Sequence, residues 1–479
     1  MPYIQGVDKM QATLPETLEN YVSEGNEVRV IDAFVESLNM KDLGFLRAEA
    51  ASTGRPGFRP QDMLKLYLYG FLNRVRSSRR LESECQKNVE VMWLLNKLTP
   101  DYKTIADFRR DNSIAMKQVF SQFVVTCRDW DLFSKEILAI DGSKIRASNS
   151  KRRNYSKKKL ARHIKYIDEK INEYMRILDD TDTEERNTKQ LTTDEIQGRI
   201  KELLERKDTY EKMKKQMDES ESNQISTVDP DAKLMASSNN GVDVSYNVQA
   251  TVDSKHNLVA DIEVINNASD SGQLYPMASR AKEILDMEEI TVLVDKGYSN
   301  NYQDLMACEK NGITTYAAIA NRPSMDGGEN YRADKFKYNE QDDTFTCPQG
   351  QILKYYRTRE MQGLKHKVYR NYSVCKGCLL KDQCTKSKKG RTINRSEAAK
   401  TIDNIVRRMQ ENPQLYKRRQ MIVEPVFGTV KRAIGFTYFL TRGIKKVNAE
   451  AALAFCAYNL RRVINIMGVD EMIRRLRIV

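Results

Sequence analysis

The chain has 479 residues, 40% hydrophobic and 30% charged, with a formal net charge of +13. That length exceeds one ordinary core, so two or three domains are expected, and the positive balance points to a polyanionic partner, nucleic acid first. No stretch approaches the ~18 apolar residues of a membrane helix, and the opening "MPYIQGVDKMQATLPE" lacks the apolar centre of a secretory signal, so a soluble intracellular protein is expected.

Residues 1–130 read as helical. "PQDMLKLYLYGFLNRV" carries an apolar helical face opened by Pro60, and "SSRRLESECQKNVEVMWLL" repeats the pattern after Ser77 or Ser78 as a cap. Arg74, Arg76, Arg79, Arg80, Arg109 and Arg110 cluster there, which suits either a small DNA-binding bundle or a helical domain with a solvated basic face. "ILAIDGSKIRA" then reads as an apolar strand ending at Asp141.

Over 155–224 the chain becomes highly charged. Leu160, Ile164, Ile167, Ile171, Tyr174 and Leu178 recur at alternating spacings of four and three, and Ile196, Ile200, Leu203, Tyr210 and Met217 repeat the pattern. Two heptad helices joined by the polar "DDTDTEERNTKQ", with Thr192 and Glu195 as a capping box, predict an antiparallel coiled-coil hairpin inserted into the fold. Beyond it, "VDVSYNVQATVDSKHNLVADIEVIN" predicts a β-hairpin, "DSGQLYPMASRAKEIL" a helix, and "EITVLVDKGYSN" a second apolar strand tipped by an acid, Asp295. A helix through "NYQDLMACEKNG" and a strand at "TTYAAIA" complete a mixed α/β layer. Residues 320–400 are polar, basic and cysteine-bearing, and the chain reads as helical again from about 401.

Two groups of residues carry chemistry. Asp141 and Asp295 each end an apolar strand, and Glu424 lies in the helix-like "RRQMIVEPVFGTVK". Carboxylates are hard oxygen ligands suited to Mg²⁺, and α/β sheets gather ligand sites at the carboxyl ends of their strands. Any one of these acids alone is accounted for by a strand-end salt bridge; the matching pair plus a Glu in a basic helix favours a metal site. The second group is Cys347, Cys375, Cys378 and Cys384, half of the chain's eight cysteines. A C-x₂-C pair flanked by two more thiols on turn-rich sequence fits a tetrahedral structural Zn²⁺ site, although the spacing is not that of a standard finger. Basic and aromatic neighbours such as Lys354, Tyr355, Tyr356 and Arg357 suit DNA contact. Cys85, Cys127, Cys308 and Cys456 sit in apolar helical contexts and read as core. The three histidines offer no nucleophilic constellation, and there is no P-loop or dinucleotide-binding glycine pattern.

These stretches resemble bacterial insertion-sequence transposases of the DDE type. The likeness rests on "AIDGSKIRA", "LVDKGYSN" and "YKRRQMIVEPVFGTVKRAIGF", and on "RPGFRPQDMLKLYLYGFLNRVRSSRRLE", which is similar to the N-terminal domain common in these enzymes. The third stretch resembles the Tyr/Arg/Glu/Lys signature of one branch, carried by Tyr416, Arg419, Glu424 and Lys431. Four residues separate Arg419 from Glu424 where that signature usually has three, so either this subgroup carries an extra residue or Arg418 and Arg419 share the role of its Arg.

The resemblance implies an α/β (α+β) fold: an RNase H-like mixed sheet flanked by helices over 131–479. A helical DNA-binding domain over 1–130 precedes it, and the coiled-coil hairpin at 155–224 and a basic, four-cysteine, zinc-ribbon-like segment at 320–400 are insertions. It implies that Asp141, Asp295 and Glu424 hold two Mg²⁺ ions (Mn²⁺ as a substitute) for strand cleavage, followed by attack of the freed 3′-OH on a second phosphodiester. Lys431, Tyr416, Arg419, Lys144, Lys296, Arg79 and Arg80 are the expected DNA contacts. Expected partners are double-stranded DNA, as terminal inverted repeats and target, and a second copy of the chain when bound to DNA. No membrane partner is expected, and the location implied is the bacterial cytoplasm, at the nucleoid. An inactive transposase-derived DNA-binding protein and a metal-dependent nuclease without strand transfer remain the alternatives.

Overall fold

The apolar run 137–140 becomes the middle of a six-stranded sheet in the structure, a computed structural model that describes residues 17–49, 57–181, 193–219, 223–237, 241–319, 328–361 and 363–478. Seven helices come first: α1 (Leu18–Tyr21), α2 (Glu27–Glu36), α3 (Pro60–Leu72), α4 (Ser78–Lys87), α5 (Val89–Leu94), α6 (Tyr102–Asp111) and α7 (Ser113–Asp129). Pro60 opens α3, where its missing N–H costs nothing. Ser77 is the N-cap of α4 in position, but its side chain makes no capping bond.

The sheet begins with β1 (Ile137–Arg146). After the short β2 (Asn154–Ser156) the chain leaves the sheet through α8 (Lys157–Thr181) and α9 (Thr193–Glu219) and returns by β3 (Gln224–Ser226), which pairs with β2. The two long helices pack on each other around Leu160, Ile167, Tyr210 and Met217, with Ile164, Ile171 and Leu203 alongside. The Leu178 side chain and the Thr192 cap lie outside the described residues.

The sheet continues with β4 (Lys233–Ser237), β5 (Gly241–Asp253) and β6 (Val259–Ile265), then α10 (Leu274–Ile284), β7 (Ile290–Val294), α11 (Tyr302–Lys310) and β8 (Ile313–Ala317). Its order is β4-β5-β1-β7-β8, and β6 shares with β4 the outer edge of the long β5. β5 runs antiparallel to β1, whereas β7 and β8 run parallel to it, which is what the intervening helices α10 and α11 allow.

A separate small sheet follows, β9 (Lys337–Asn339), β10 (Thr344–Thr346), β11 (Ile352–Met361), β12 (Leu364–Arg370) and β13 (Thr392–Ser396), ordered β13-β12-β11-β10-β9. Two short helices, α12 (Tyr372–Lys376) and α13 (Lys381–Cys384), sit between β12 and β13. This sheet has its own core of Phe336, Phe345, Leu353, Tyr369 and Ile393.

The chain then closes the main layer with α14 (Ala399–Glu411), α15 (Pro413–Arg432), α16 (Ile444–Met467) and α17 (Val469–Leu476). α16 is buried nearly all round, packing on α3, α7 and β6. Its Asn459 accepts from the Val259 N–H at 2.9 Å and donates to the same residue's carbonyl at 2.8 Å; Asn448 does the same to Val264 at 2.9 and 3.2 Å. Two amides thus satisfy backbone groups that an edge strand would otherwise leave open. The N-terminal helices and the main sheet share one continuous core. Among the described residues no helix is long and apolar enough to cross a membrane.

Candidate active site

Asp141 and Asp295 stand side by side. β1 and β7 are parallel neighbours with Ile140 opposite Val294, so an acid follows at the same level of the sheet on each: Asp295 just past the end of β7, and Asp141 within β1, which does not end there as the sequence suggested but runs on to Arg146 paired with β5. Gly142 donates its N–H to Asp141 Oδ1 at 2.8 Å, and Gly297 donates to Asp295 Oδ1 at 2.8 Å. Burial holds the Asp141 carboxyl above its ordinary pKa. Arg419 and the Gly142 N–H oppose that rise, and the neighbouring charges of Asp295 and Asp270 add to it.

Helix α15 lies across β1, β5 and β7 and brings two cations to this edge. Arg419 Nη1 meets Asp141 Oδ2 at 3.1 Å, with the guanidinium only 14% exposed. Lys431 Nζ donates to Ser143 Oγ at 2.5 Å; burial lowers its pKa, and the nearby Asp141 raises it. The adjacent Arg418 is exposed, so packing separates the two arginines that the sequence left equivalent. Glu424 lies between Arg419 and Lys431 along the helix, about 7–11 Å of axial rise from each and on nearly the same face as Lys431. Its side chain is exposed and makes no hydrogen bond or ion pair among the described residues. The two aspartates therefore meet directly, and Glu424 joins them only through the helix that carries it.

A fourth carboxylate, which the sequence reading missed, completes the neighbourhood. Asp270, in the loop between β6 and α10, accepts at Oδ1 from Asn247 Nδ2 and Gln249 Nε2, both at 2.7 Å, and Lys144 Nζ lies 3.6 Å from the same oxygen. Asn247, Gln249 and Tyr298 are fully buried, and the Tyr298 hydroxyl donates to Gln249 Oε1. The available signal was Asn247 and Gln249 themselves: two amides on one face of an alternating strand demand polar partners wherever that face is buried. Gly142, opposite Gln249, leaves room for this network. A Cβ there would collide with Gln249 Nε2 and stand 2.6 Å from Asp270 Oδ1 and 2.8 Å from Asn247 Oδ1. We therefore expect Gly142→Ala to cost about 1–3 kcal/mol by overpacking. A thermal unfolding midpoint equal to wild type would refute this packing.

The donor set is all carboxylate, hard oxygen, and burial makes its charge costly, so a divalent cation fits this edge chemically. Among the described residues, no three His, Cys, Asp or Glu side chains form a ready-made metal cage. Cys347, Cys375, Cys378 and Cys384 nevertheless line one cavity of about 40 Å³ with Tyr331 and Phe336, and the Cys384 thiol, raised chiefly by burial, senses the other three. Cys85, Cys127, Cys308 and Cys456 are buried in the main core.

The other expected DNA contacts divide. Lys296 is exposed beyond Asp295, Tyr416 is half-buried on α15, and Lys144 faces Asp270. Of the six N-terminal arginines grouped from sequence, Arg74 donates to the Ala433 carbonyl and Arg76 to that of Tyr438, tying the first helices to the segment after α15. Arg110 pairs with Asp107 and Asp111, and Arg109 lies over the Tyr67 ring. Arg79, over the Tyr102 ring at 5.0 Å, and Arg80 remain exposed. A cluster in sequence is thus split: Arg76 and Arg109 turn inward, whereas Arg74, Arg79, Arg80 and Arg110 stay exposed, Arg74 and Arg110 with partners of their own.

Residues 346–464 match the transposase DDE domain family, and residues 16–111 match a second transposase domain family, DUF772. These two matches support an insertion-sequence DDE transposase. The first match spans the cysteine segment, α14, α15 and most of α16, hence Glu424, Arg419 and Lys431, while both aspartates lie outside it. No curated protein matches the chain. A cryo-EM structure of the piggyBac transposase synaptic complex with hairpin DNA aligns over 94% of this chain and 79% of its own, at 8% identity and a TM-score of 0.32. That likeness is too slight to carry an argument.

Proposed function

We propose that this transposase-family chain cuts and joins DNA strands at the ends of its insertion sequence. In this reading its RNase H-like core uses Asp141, Asp295 and Glu424 to hold two Mg²⁺ ions, with Mn²⁺ as a substitute. The observation that carries the proposal is the parallel register of β1 and β7, which sets two carboxylates at one level of the sheet, where β7 ends, beneath a helix bearing Glu424. The order β6-β5-β1-β7-β8, antiparallel on one side of β1 and parallel on the other, supports the RNase H-like assignment. Bound there, such ions activate the attacking oxygen and stabilise the leaving one in an in-line displacement at phosphorus.

The chain's own residues do the rest. Arg419 offsets the Asp141 charge and is close enough to turn to a phosphate when a cation takes over that task. Lys431 and Lys144 flank the pair with positive charge, and Lys296 and Tyr416 extend the contact surface. The Asn247–Gln249–Asp270 network fixes the loop behind both aspartates. The helices of 1–130, through Arg79 and Arg80, bind element DNA, and the hairpin at 155–224 joins two copies on it.

The test is incubation of the purified full chain with Mg²⁺ and DNA carrying the gene with its flanking repeats. New 3′-OH ends at the element boundary and joined products are expected. Cleavage without joining would replace this reading with a plain nuclease, and binding without cleavage with a DNA-binding derivative.

The cysteine group is proposed to hold a structural Zn²⁺ that organises the segment 320–400, since four thiols share one small cavity. Protein purified without added zinc should carry about one zinc per chain. Cys375→Ser together with Cys378→Ser should lose it; a wild-type content well below one would overturn the idea.

A further inference from the structure

We propose that the groove beyond the end of β1 is a binding site for the sugar–phosphate backbone of the DNA strand leading into the active site. The groove holds about 680 Å³ and is walled by the end of β1 with the segment that follows it and by residues 438–442 between α15 and α16. Arg146, Arg153 and Arg442 line it, all exposed, and none pairs with a carboxylate among the described residues. Arg442 Nε donates only to the Ser148 carbonyl at 3.1 Å, and Arg146 lies over the Tyr438 ring at 6.0 Å. The one acid in the lining, Asp243, accepts from the neighbouring Val244 N–H at 2.9 Å. Three guanidinium forks against one carboxylate make a site for a polyanion, and the planar fork matches phosphate oxygens two at a time.

The walls are held in place before any ligand arrives. The Phe439 N–H donates to the Arg146 carbonyl at 2.8 Å, and Arg146 bridges in parallel to Tyr438. Phe436 and Phe439 are fully buried and stack edge-to-face at 5.2 Å. A preorganised groove loses little ordering entropy on binding. Tyr438, 41% exposed, packs under the Arg76 and Arg146 guanidinium groups, at 4.7 and 6.0 Å from its ring centre, and so holds Arg146 at the groove wall.

Location ties the groove to the chemistry. Arg146 is five residues past Asp141 on one strand, roughly 16 Å away. Along a duplex, that distance corresponds to about four or five phosphates of one strand. The strand entering the site is thus gripped a few nucleotides from the reacting phosphate by residues that do not touch the reacting atoms.

This inference rests on the DNA-processing reading, and the experiment separates the two. Binding of a fluorescent mixed-sequence duplex, and of its single strand, is measured against NaCl concentration for the wild type, Arg146→Gln/Arg442→Gln and Arg146→Lys/Arg442→Lys. The glutamine pair should flatten the slope of log K against log [NaCl] by about 1.8 for duplex, or about 1.4 if the groove takes single strand. The lysine pair should restore most of it with the melting temperature unchanged throughout. Wild-type binding with an unaltered slope in the glutamine pair would overturn the groove alone. Failure of the wild type to bind either DNA would overturn both proposals.

Discussion

Asp141→Asn and Asp295→Asn should each reduce Mg²⁺-dependent strand cleavage by about 10²–10³-fold, the scale of losing one preorganised electrostatic group at a reacting centre. The expectation follows from burial and register. Asp141 sits where ionisation is costly, beside a second carboxylate on the next strand, with Arg419 offsetting part of that cost; a cation bound between the two acids would use both charges. Asparagine retains the shape and an oxygen to accept from Gly142, so the metal-free protein should unfold near the wild-type temperature. Glu424→Gln should fall to the same level, because in this reading its helix completes the site. The measurement is a cleavage assay on end-bearing DNA, with calorimetry of each variant. Wild-type cleavage by either aspartate variant would end the DDE assignment of these positions.

Glu450→Ala should lower unfolding free energy by about 3–5 kcal/mol, the usual consequence of removing one partner from a buried ion pair. Glu450 is fully buried in α16 and accepts from the Leu440 N–H at 3.0 Å, the Thr441 N–H at 2.9 Å and the Thr441 hydroxyl at 2.7 Å. Arg76 Nη1, from the N-terminal helices, lies 3.5 Å away with its side chain 8% exposed. Alanine strands that guanidinium and three donors in the interior together. Glutamine keeps an acceptor and should cost less. Urea denaturation would show a reduced midpoint with an unchanged slope. If the alanine variant matched the wild type, the carboxylate would not be what fastens the first helices to the 438–442 wall of the groove.

Much of the fold was legible because it is local. Alternation and 3.6-residue periodicity in 137–317 mark β1, the β5–β6 hairpin, α10, β7, α11 and β8, and the heptads of 155–224 supply the small core around Leu160, Ile167, Tyr210 and Met217. Asp141 and Asp295 stood out for a local reason as well: an apolar run that stops at an acid contradicts its own pattern.

What the residues could not decide alone was every question of partnership. Asp270 sits in an ordinary polar loop, and only the β5 register delivers Asn247 and Gln249 to it. Arg418 and Arg419 are equivalent in sequence, but one turn of packing buries the second against Asp141 and leaves the first in solvent. The N-terminal arginines look like one basic patch until Arg74 and Arg76 reach the backbone after α15, at sequence separations of 359 and 362 residues. Composition and periodicity are properties of neighbours along the chain, so they determined the elements and marked the two acids that interrupt apolar runs, but not that β1 would continue past Asp141 to Arg146 by pairing with the distant β5. Pairing, burial and charge compensation depend on contacts between distant segments, so the tertiary structure alone decided which charges face the site, which face outward and which hold the domains together.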